Sequence, residues 1–323
     1  MAPVLDPGRL IVGMQLPIQS QSTVYAEPWE ATAGAAELAA IATAADRAGF
    51  GYVAVCDHAA IPADKVDAMS AEWWDTVATL AWLAGLTERT LLLSHVFVPA
   101  YRHPLSVAKA WSTLDVVSGG RAVMGVGAGH VEGEFAALGV PFAERGALLD
   151  ESIDAVRACF AAEAPAHDGP TWSFTGLSQR PRPVQAGGPP IWVGGSSVPA
   201  VRRAAQRGDG WLPQGPFGPD EVARLRAALV AAGREGEPFD VGALAGPVYV
   251  GEPTWDVGRC ISGPPEKVAH ILAKLGGLGA LQVQVRPRSR SAAELVEQIE
   301  RIGAEVLPRL AEVRPRPLFD ADE

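Results

Sequence analysis

Residues 91–134 read LLLSHVFVPAYRHPLSVAKAWSTLDVVSGGRAVMGVGAGHVEGE. An apolar run, Leu91 to Val98, ends at the turn Pro99-Ala100-Tyr101-Arg102-His103-Pro104. Val107, Trp111, Leu114 and Val117 then fall on one face of a helix, which Ser118-Gly119-Gly120 stops. A second strand, Arg121 to Val126, opens into Gly125-Val126-Gly127-Ala128-Gly129. Strand, helix and strand in one short stretch make the parallel crossover unit. Loops after such strands are where α/β folds keep their chemistry.

The rest of the chain repeats this alternation. Strands are expected near 10–16, 52–56, 90–98, 121–126, 190–193, 209–212, 243–250 and 280–286. Between them, Leu38, Ile41, Ala42 and Ala45 share one helical face, as do Leu149, Ile153, Val156 and Phe160, and Val268, Ile271, Leu272 and Leu275. Ser291 and Glu294 form a capping box for a last helix that buries Leu295, Ile299, Ile302 and Val306. Eight strands alternating with helices suggest an α/β fold of the (β/α)8 TIM-barrel type, over one domain spanning 1–323. An open doubly wound sheet would give similar alternation. Two Pro-rich stretches, 164–188 (with a hairpin around Thr171–Phe174) and 213–241, read as irregular insertions at the C-terminal rim, where they would build the active-site mouth.

Composition narrows the function. The 27 basic and 37 acidic residues give a formal charge of −10, which argues against nonspecific nucleic-acid binding. It does not exclude an anionic cofactor, which needs only local donors. No apolar run approaches about 18 residues, so no membrane span is expected, and the start MAPVLDPGRL has no signal-peptide pattern. Cys56, Cys159 and Cys260 are widely spaced and lack metal-ligand spacing, so neither a disulfide framework nor a metal site is expected; a reducing cytoplasm fits. No GxSxG, HExxH, P-loop or HxE…CxxC pattern is present, so hydrolase, ATPase and zinc-deaminase readings lack support.

Two segments carry chemistry on their own residues. Asp57-His58 ends the β-rich run Tyr52 to Cys56 at the catalytic rim, where an imidazole can give or take a proton near neutral pH. The bland alternative is a bonded rim pair that shapes its loop. Gly194-Gly195-Ser196-Ser197 follows the strand Ile191-Trp192-Val193 and opens a helix. Glycines, hydroxyls and a helix N-terminus make an anion site, or else an ordinary capped turn. The run Gly125 to Gly129 fails the dinucleotide spacing, because the third glycine would fall at His130 or Glu132.

The ordered set PxYRxP, SGGR, GVGxG, Asp57-His58, Val140 to Gly146, Pro190 to Ser196, Arg207 to Trp211 and Val285 to Ser291 resembles the luciferase-like monooxygenase superfamily. Within it, the chain looks most like oxidoreductases that use the deazaflavin coenzyme F-420. The resemblance implies a barrel, a small-molecule substrate and a homodimer. It places Asp57 and His58 at the cofactor border, and Gly127, Ala128 and Gly129 in the wall beside the ring. It assigns the cofactor phosphate to Gly194, Gly195, Ser196 and Ser197. It also implies a bulge with a cis peptide behind the ring, here His95–Val96. Relatives usually carry a small residue at position 95; the histidine either sets a polar group against the ring or bonds a neighbouring strand. His58 and His130 are the expected proton carriers, and Glu134 is expected to bond nearby backbone. Trp29, Trp73 and Trp74 stack on substrate or simply pack. Pro62 stands where sugar-phosphate-oxidising relatives have an aromatic, which argues against that substrate. The rivals are an FMN-dependent monooxygenase and, in another class, a non-catalytic flavin-binding or scaffold protein.

Overall fold

The computed structural model describes residues 5–319. Eight parallel strands form its centre: β1 (Ile11–Gln15), β2 (Tyr52–Val55), β3 (Leu91–Ser94), β4 (Ala122–Val126), β5 (Ile191–Gly194), β6 (Gly210–Leu212), β7 (Asp240–Val250) and β8 (Gln282–Pro287). Each pairs with the next, and β8 pairs with β1, so the sheet closes. A helix follows every strand: α1 (Ala35–Ala48), α2 (Thr76–Ala84), α3 (Pro104–Ser118), α4 (Arg145–Ala161), α5 (Val198–Arg207), α6 (Pro219–Ala231), α7 (Pro265–Gly277) and α8 (Ala292–Arg301). The fold is a (β/α)8 barrel. No helix among the described residues is long and apolar enough to cross a membrane.

The strands are apolar on both faces because both are covered. Tyr52, Ala54, Leu93, Val123, Trp192 and Leu212 fill the interior. Their neighbours Val53, Val55, Leu92, Ala122, Ile191 and Val193 pack outward with the helices. The interior is close-packed: a Cβ on Gly13 would lie 2.2 Å from the Tyr52 ring, whose hydroxyl bonds Gln282 at 2.5 Å. β7 carries a bulge opposite Gln284/Val285 and runs long enough to pair with a further short strand, Ile261–Gly263, that the sequence pattern does not announce.

Three expectations need correction. Val117 is 56% exposed, and Ser118 takes the buried position on α3. Ser118 is eleven residues beyond Val107, close to three full turns, and so completes the stripe. The stretch 213–241 is an ordinary β/α connection containing α6, whose Pro219 sits in the first turn, where a missing N–H costs no hydrogen bond. The stretch 164–188 does contain a hairpin, His167–Asp168 with Ser173–Phe174. It runs outside the barrel, with Thr171 bonded to Glu151 on α4 and Val184 to Asp115 on α3. Its Trp172 packs beside Val98, Ala100, Phe135 and Leu148 and buttresses the rim from behind.

β3 and β4 approach most closely at Gly125. Its carbonyl accepts from Ser94 Oγ at 2.7 Å and from Phe97 N at 2.8 Å, and a Cβ there would lie 2.0 Å from the Ser94 carbonyl oxygen. Gly125→Ala is therefore expected to lower stability by about 1–3 kcal/mol or more, as overpacking does. Thermal unfolding followed by circular dichroism checks this, and an unchanged midpoint would mean the two strands can part freely.

Candidate active site

A cavity of about 600 Å³ lies at the C-terminal ends of the strands. Every residue singled out above as catalytic or cofactor-binding lines it except Ser196. Ser196 Oγ instead bonds Gln214 on both sides, accepting from its N–H at 2.9 Å and donating to its carbonyl at 3.0 Å.

Asp57 is 3% exposed and faces Arg102 rather than open space. The guanidinium grips it through two bonds of 2.7 and 2.9 Å, and the Val98 N–H adds a third of 2.9 Å. Such a planar fork holds a carboxylate in one orientation. Asp57 thus ties the loop after β2 to the turn after β3, and Arg102 also lies over the Phe97 ring at 4.4 Å.

Glu134, on a short helix Glu132–Ala137, makes a parallel tie and is 1% exposed. It accepts from Ala59 N and from Ala60 N, as the sequence suggests. It also takes His58 Nδ1 at 2.8 Å and Tyr101 Oη at 2.7 Å. Burial pushes the Glu134 carboxyl up, but the bonds from His58, Tyr101 and Ala59 outweigh it and bring it below 4.5. Burial, followed by the Glu134 bond, raises the Tyr101 phenol. An ionised carboxylate only accepts, so His58 carries its proton on Nδ1 and offers Nε2 to the cavity. Trp73 and His130 stand edge-on to the His58 ring at 4.4 and 5.6 Å between centroids. Burial, then the neighbouring His58, lowers the His130 pKa below 6.5, so His130 is neutral at neutral pH. Trp29 and Trp74 instead bond Ser289 and Glu72.

The opposite wall is built from glycines. The His95–Val96 peptide is cis. Val96 lies between Gly127 and Gly194, where added Cβ atoms would stand 2.5 and 2.7 Å from its methyl groups. His95 is 9% exposed. Its Nδ1 meets Gln284 Oε1 at 2.7 Å, and its Nε2 meets Gln214 Nε2 at 2.8 Å. Burial holds its pKa down at about 4. Beside it, burial pushes the Cys56 thiol up to about 11, so this part of the floor is uncharged.

The wall ends at the Gly194–Ser197 turn. Gly195 has φ +114°, a conformation side chains rarely adopt. Ser197 caps α5 by accepting from Ala200 N at 3.4 Å. In the first turn of α5, Pro199 has no N–H and Ala200 gives its own to Ser197, which leaves the Val198 N–H and the helix dipole to attract an anion. Two guanidinium groups line the cavity, those of Arg203 and Arg145. Arg203 is bound to Asp150 at 2.6 Å. Arg145 meets the Phe142 carbonyl at 2.8 Å and lies over the Phe142 ring at 4.0 Å. Arg145, Gln214, Arg102 and Tyr101 were not among the expected site residues. The PxYRxP motif was the available signal for the last two and the Val140 to Gly146 segment for Arg145; Gln214 follows an irregular turn with no pattern to flag it.

The fold is a closed parallel barrel with a glycine-walled cavity and a helix-starting turn at one rim. Residues 11–259 match the family model of the luciferase-like monooxygenases, and the chain belongs to that family. It is 28% identical over 288 residues to an uncharacterized protein of Mycobacterium tuberculosis, covering 83% of this chain and 93% of the relative. It is 35% identical over 187 residues to the F420-dependent glucose-6-phosphate dehydrogenase of Beutenbergia cavernae, covering 54% and 52%. Among solved structures, monooxygenase RslO1 from Streptomyces bottropensis superposes with a TM-score of 0.74 at 21% identity, over 92% of this chain and 99% of that one. The coenzyme F420 dependent tetrahydromethanopterin reductase from Methanopyrus kandleri gives 0.73 at 19%, over 94% and 99%. At these identities the structural likeness concerns the fold.

Two outcomes follow from the buried carboxylates. Arg102→Met strands Asp57 as an unpaired buried charge, so a loss of about 3–5 kcal/mol is expected, read by denaturant unfolding; a loss below that of an ordinary surface substitution would contradict it. For Glu134 the folded pKa lies below its ordinary 4.5, so its share of stability is present above pH 4.5 and is lost as pH falls through the folded value. Glu134→Gln should therefore be less stable than wild type at neutral pH, with the gap narrowing in acid. A gap that stays constant down to the acid transition would overturn that sign.

Proposed function

We propose that this protein is an oxidoreductase that binds coenzyme F-420 in the rim cavity and transfers a hydride to or from a small organic substrate. The observation that supports it best is the continuous wall from Val96, through Gly127 and Gly194, to the capped turn at Ser197. Gly127 and Gly194 admit the Val96 side chain between them, which leaves a smooth wall of backbone and one small side chain that suits a flat ring, and the helix N-terminus suits a phosphate. Similarity to a dehydrogenase named as F420-dependent adds to this reading.

When bound, the deazaflavin supplies two-electron hydride chemistry, and the protein supplies orientation and a proton path. Gly127, Ala128 and Gly129 would flank the ring, and His95 and Val96 would back it. Gly194, Gly195 and Ser197 would hold the phosphate, with Arg145 a nearby cation that no carboxylate among the described residues neutralises. Asp57 acts through Arg102 to keep the β2 and β3 loops in register. His58, fixed by Glu134, presents Nε2 toward the reacting side, with His130 beside it. A positioned imidazole contributes about 10²–10⁴-fold to proton transfer. Neutral His130 suits the role of base in the oxidative direction.

A second reading, an FMN-dependent monooxygenase, follows from the family, whose model is that of the luciferase-like monooxygenases. The same wall and turn would accept FMN. Absorbance of the purified protein and fluorescence titration with each cofactor decide between them, and binding of neither would favour a scaffold role.

Ser197→Asp tests the phosphate turn cleanly. Aspartate caps helices as well as serine does, so the fold should keep its stability. The added charge should weaken F-420 binding by about tenfold or more, equivalent to about 1.4 kcal/mol. Unchanged affinity would put the phosphate elsewhere. For the proton path, oxidative turnover should rise with pH through a value below 6.5, the direction in which His130 is shifted. This limb should vanish in His130→Ala, and His58→Ala should lower turnover at every pH. Wild-type profiles in both variants would assign the proton to water or another group.

A further inference from the structure

The His95 side chain does not end at the cavity floor. It links β8, through Gln284, to Gln214 in the turn after β6. In this arrangement the Gln284 amide oxygen accepts, so Nδ1 carries the imidazole proton and the bare Nε2 accepts from the Gln214 amide nitrogen. The Gln214 side-chain amide oxygen and the second N–H of its amide nitrogen have no hydrogen-bond partner among the described residues. Gln214 is exposed to the cavity although held at both ends. Ser196 Oγ clamps its backbone to the anion turn, and His95 clamps its side-chain amide to the cavity floor. Two residues expected to touch a cofactor thus converge on a third that the sequence did not flag.

We infer that Gln214 is a cofactor-contact residue whose amide, oriented by His95 and Ser196, hydrogen-bonds the hydroxylated linker between the ring and the phosphate of the bound deazaflavin. The inference rests on the cofactor reading above. The placement follows from the two anchors: Gln214 spans from the turn proposed for the phosphate to the peptide proposed to back the ring, and the linker must cross that interval. The chemistry matches, since a primary amide can accept from one hydroxyl and donate to another. His95 and Ser196 are positioning residues that act through Gln214. The low pKa of His95 (about 4) keeps its acceptor nitrogen available throughout the neutral range.

The test is fluorescence titration of the whole protein with three probes: coenzyme F-420, the same deazaflavin riboside without phosphate, and a deazaflavin whose linker is replaced by a methyl group. Gln214→Ala should weaken F-420 binding by about tenfold, the size of one or two ordinary hydrogen bonds. The penalty should persist on the phosphate-free riboside and disappear on the methyl analogue. His95→Leu should give a similar penalty alone and add little in the Gln214→Ala background, while His95→Gln, which retains a polar partner, should restore part of it. A purely structural role for His95 would lower the melting temperature and weaken all three probes alike, in either background. Equal affinity of wild type and Gln214→Ala for F-420 would overturn this inference and leave the cofactor assignment standing. A Gln214→Ala penalty that persists on the methyl analogue would place the amide against the ring and refute the linker contact. Failure of the wild type to bind any of the probes would overturn both.

Discussion

The site depends on one turn holding two buried carboxylates. Asp57 comes from the end of β2 and Glu134 from the segment after β4, and the turn after β3 lies between them. Its Arg102 takes Asp57 and its Tyr101 takes Glu134. Either carboxylate alone would be costly to bury; each is stabilised because a donor from the middle strand reaches it. The consequence is positional. Three consecutive loops of the barrel are locked together, and His58, which sits one residue past Asp57 and on Glu134, inherits that rigidity. Pro99 and Pro104 flank the turn and limit its backbone freedom, and the adjacent Tyr101 and Arg102 each take a different carboxylate.

This arrangement explains what the sequence made legible. The strand–helix alternation, the helix stripes and the glycine stops depend on local periodicity and steric rules, and these determined the barrel. Asp57, His58 and the Gly194–Ser197 turn were legible because strand ends and helix starts have recognisable chemistry. The hydrogen-bond partners were not legible. Nothing in the spacing joins Asp57 to Arg102, His58 to Glu134 or His95 to Gln214, because those pairs meet only after the barrel closes. Val117 shows the limit of periodicity itself, since a serine one residue on fits the helical stripe better than the valine. The stretch 213–241 was misjudged for a related reason: proline reads as a helix breaker in the interior but as a helix starter in the first turn, and sequence alone does not say which position it occupies.

Charge shows the same separation between global and local properties. The chain is strongly acidic, yet its cavity is lined by Arg145, which has no carboxylate partner among the described residues. Many arginines away from the site are spent on carboxylates: Arg207 on Asp154, Arg234 on Glu237, Arg288 on Glu27, Arg301 on Glu305. Arg145 meets a carbonyl and a ring face, which orient the guanidinium without cancelling its charge. A net charge therefore argues against broad electrostatic binding to polyanions and says little about any single local cation.

The remaining wall of the cavity is made differently. The loops after β1 and β2 hold each other through Gln21 N to Glu72 O, Thr23 N to Ala68 O and Trp74 N to Gln19 O, with a bridge between Ser20 and Trp73. From this pair Val24, Tyr25, Met69 and Trp73 line the cavity, facing a side built mostly of glycine and backbone. One side is thus small and fixed by the barrel's own strands, where little variation is sterically possible. The other is large, mostly apolar and carried on loops beyond the strand ends, where side chains can change without disturbing β1 or β2. A barrel divided in this way can keep one wall while the other diverges, which is the physical reason the glycine wall is legible from strand ends and turns and the loop wall is not.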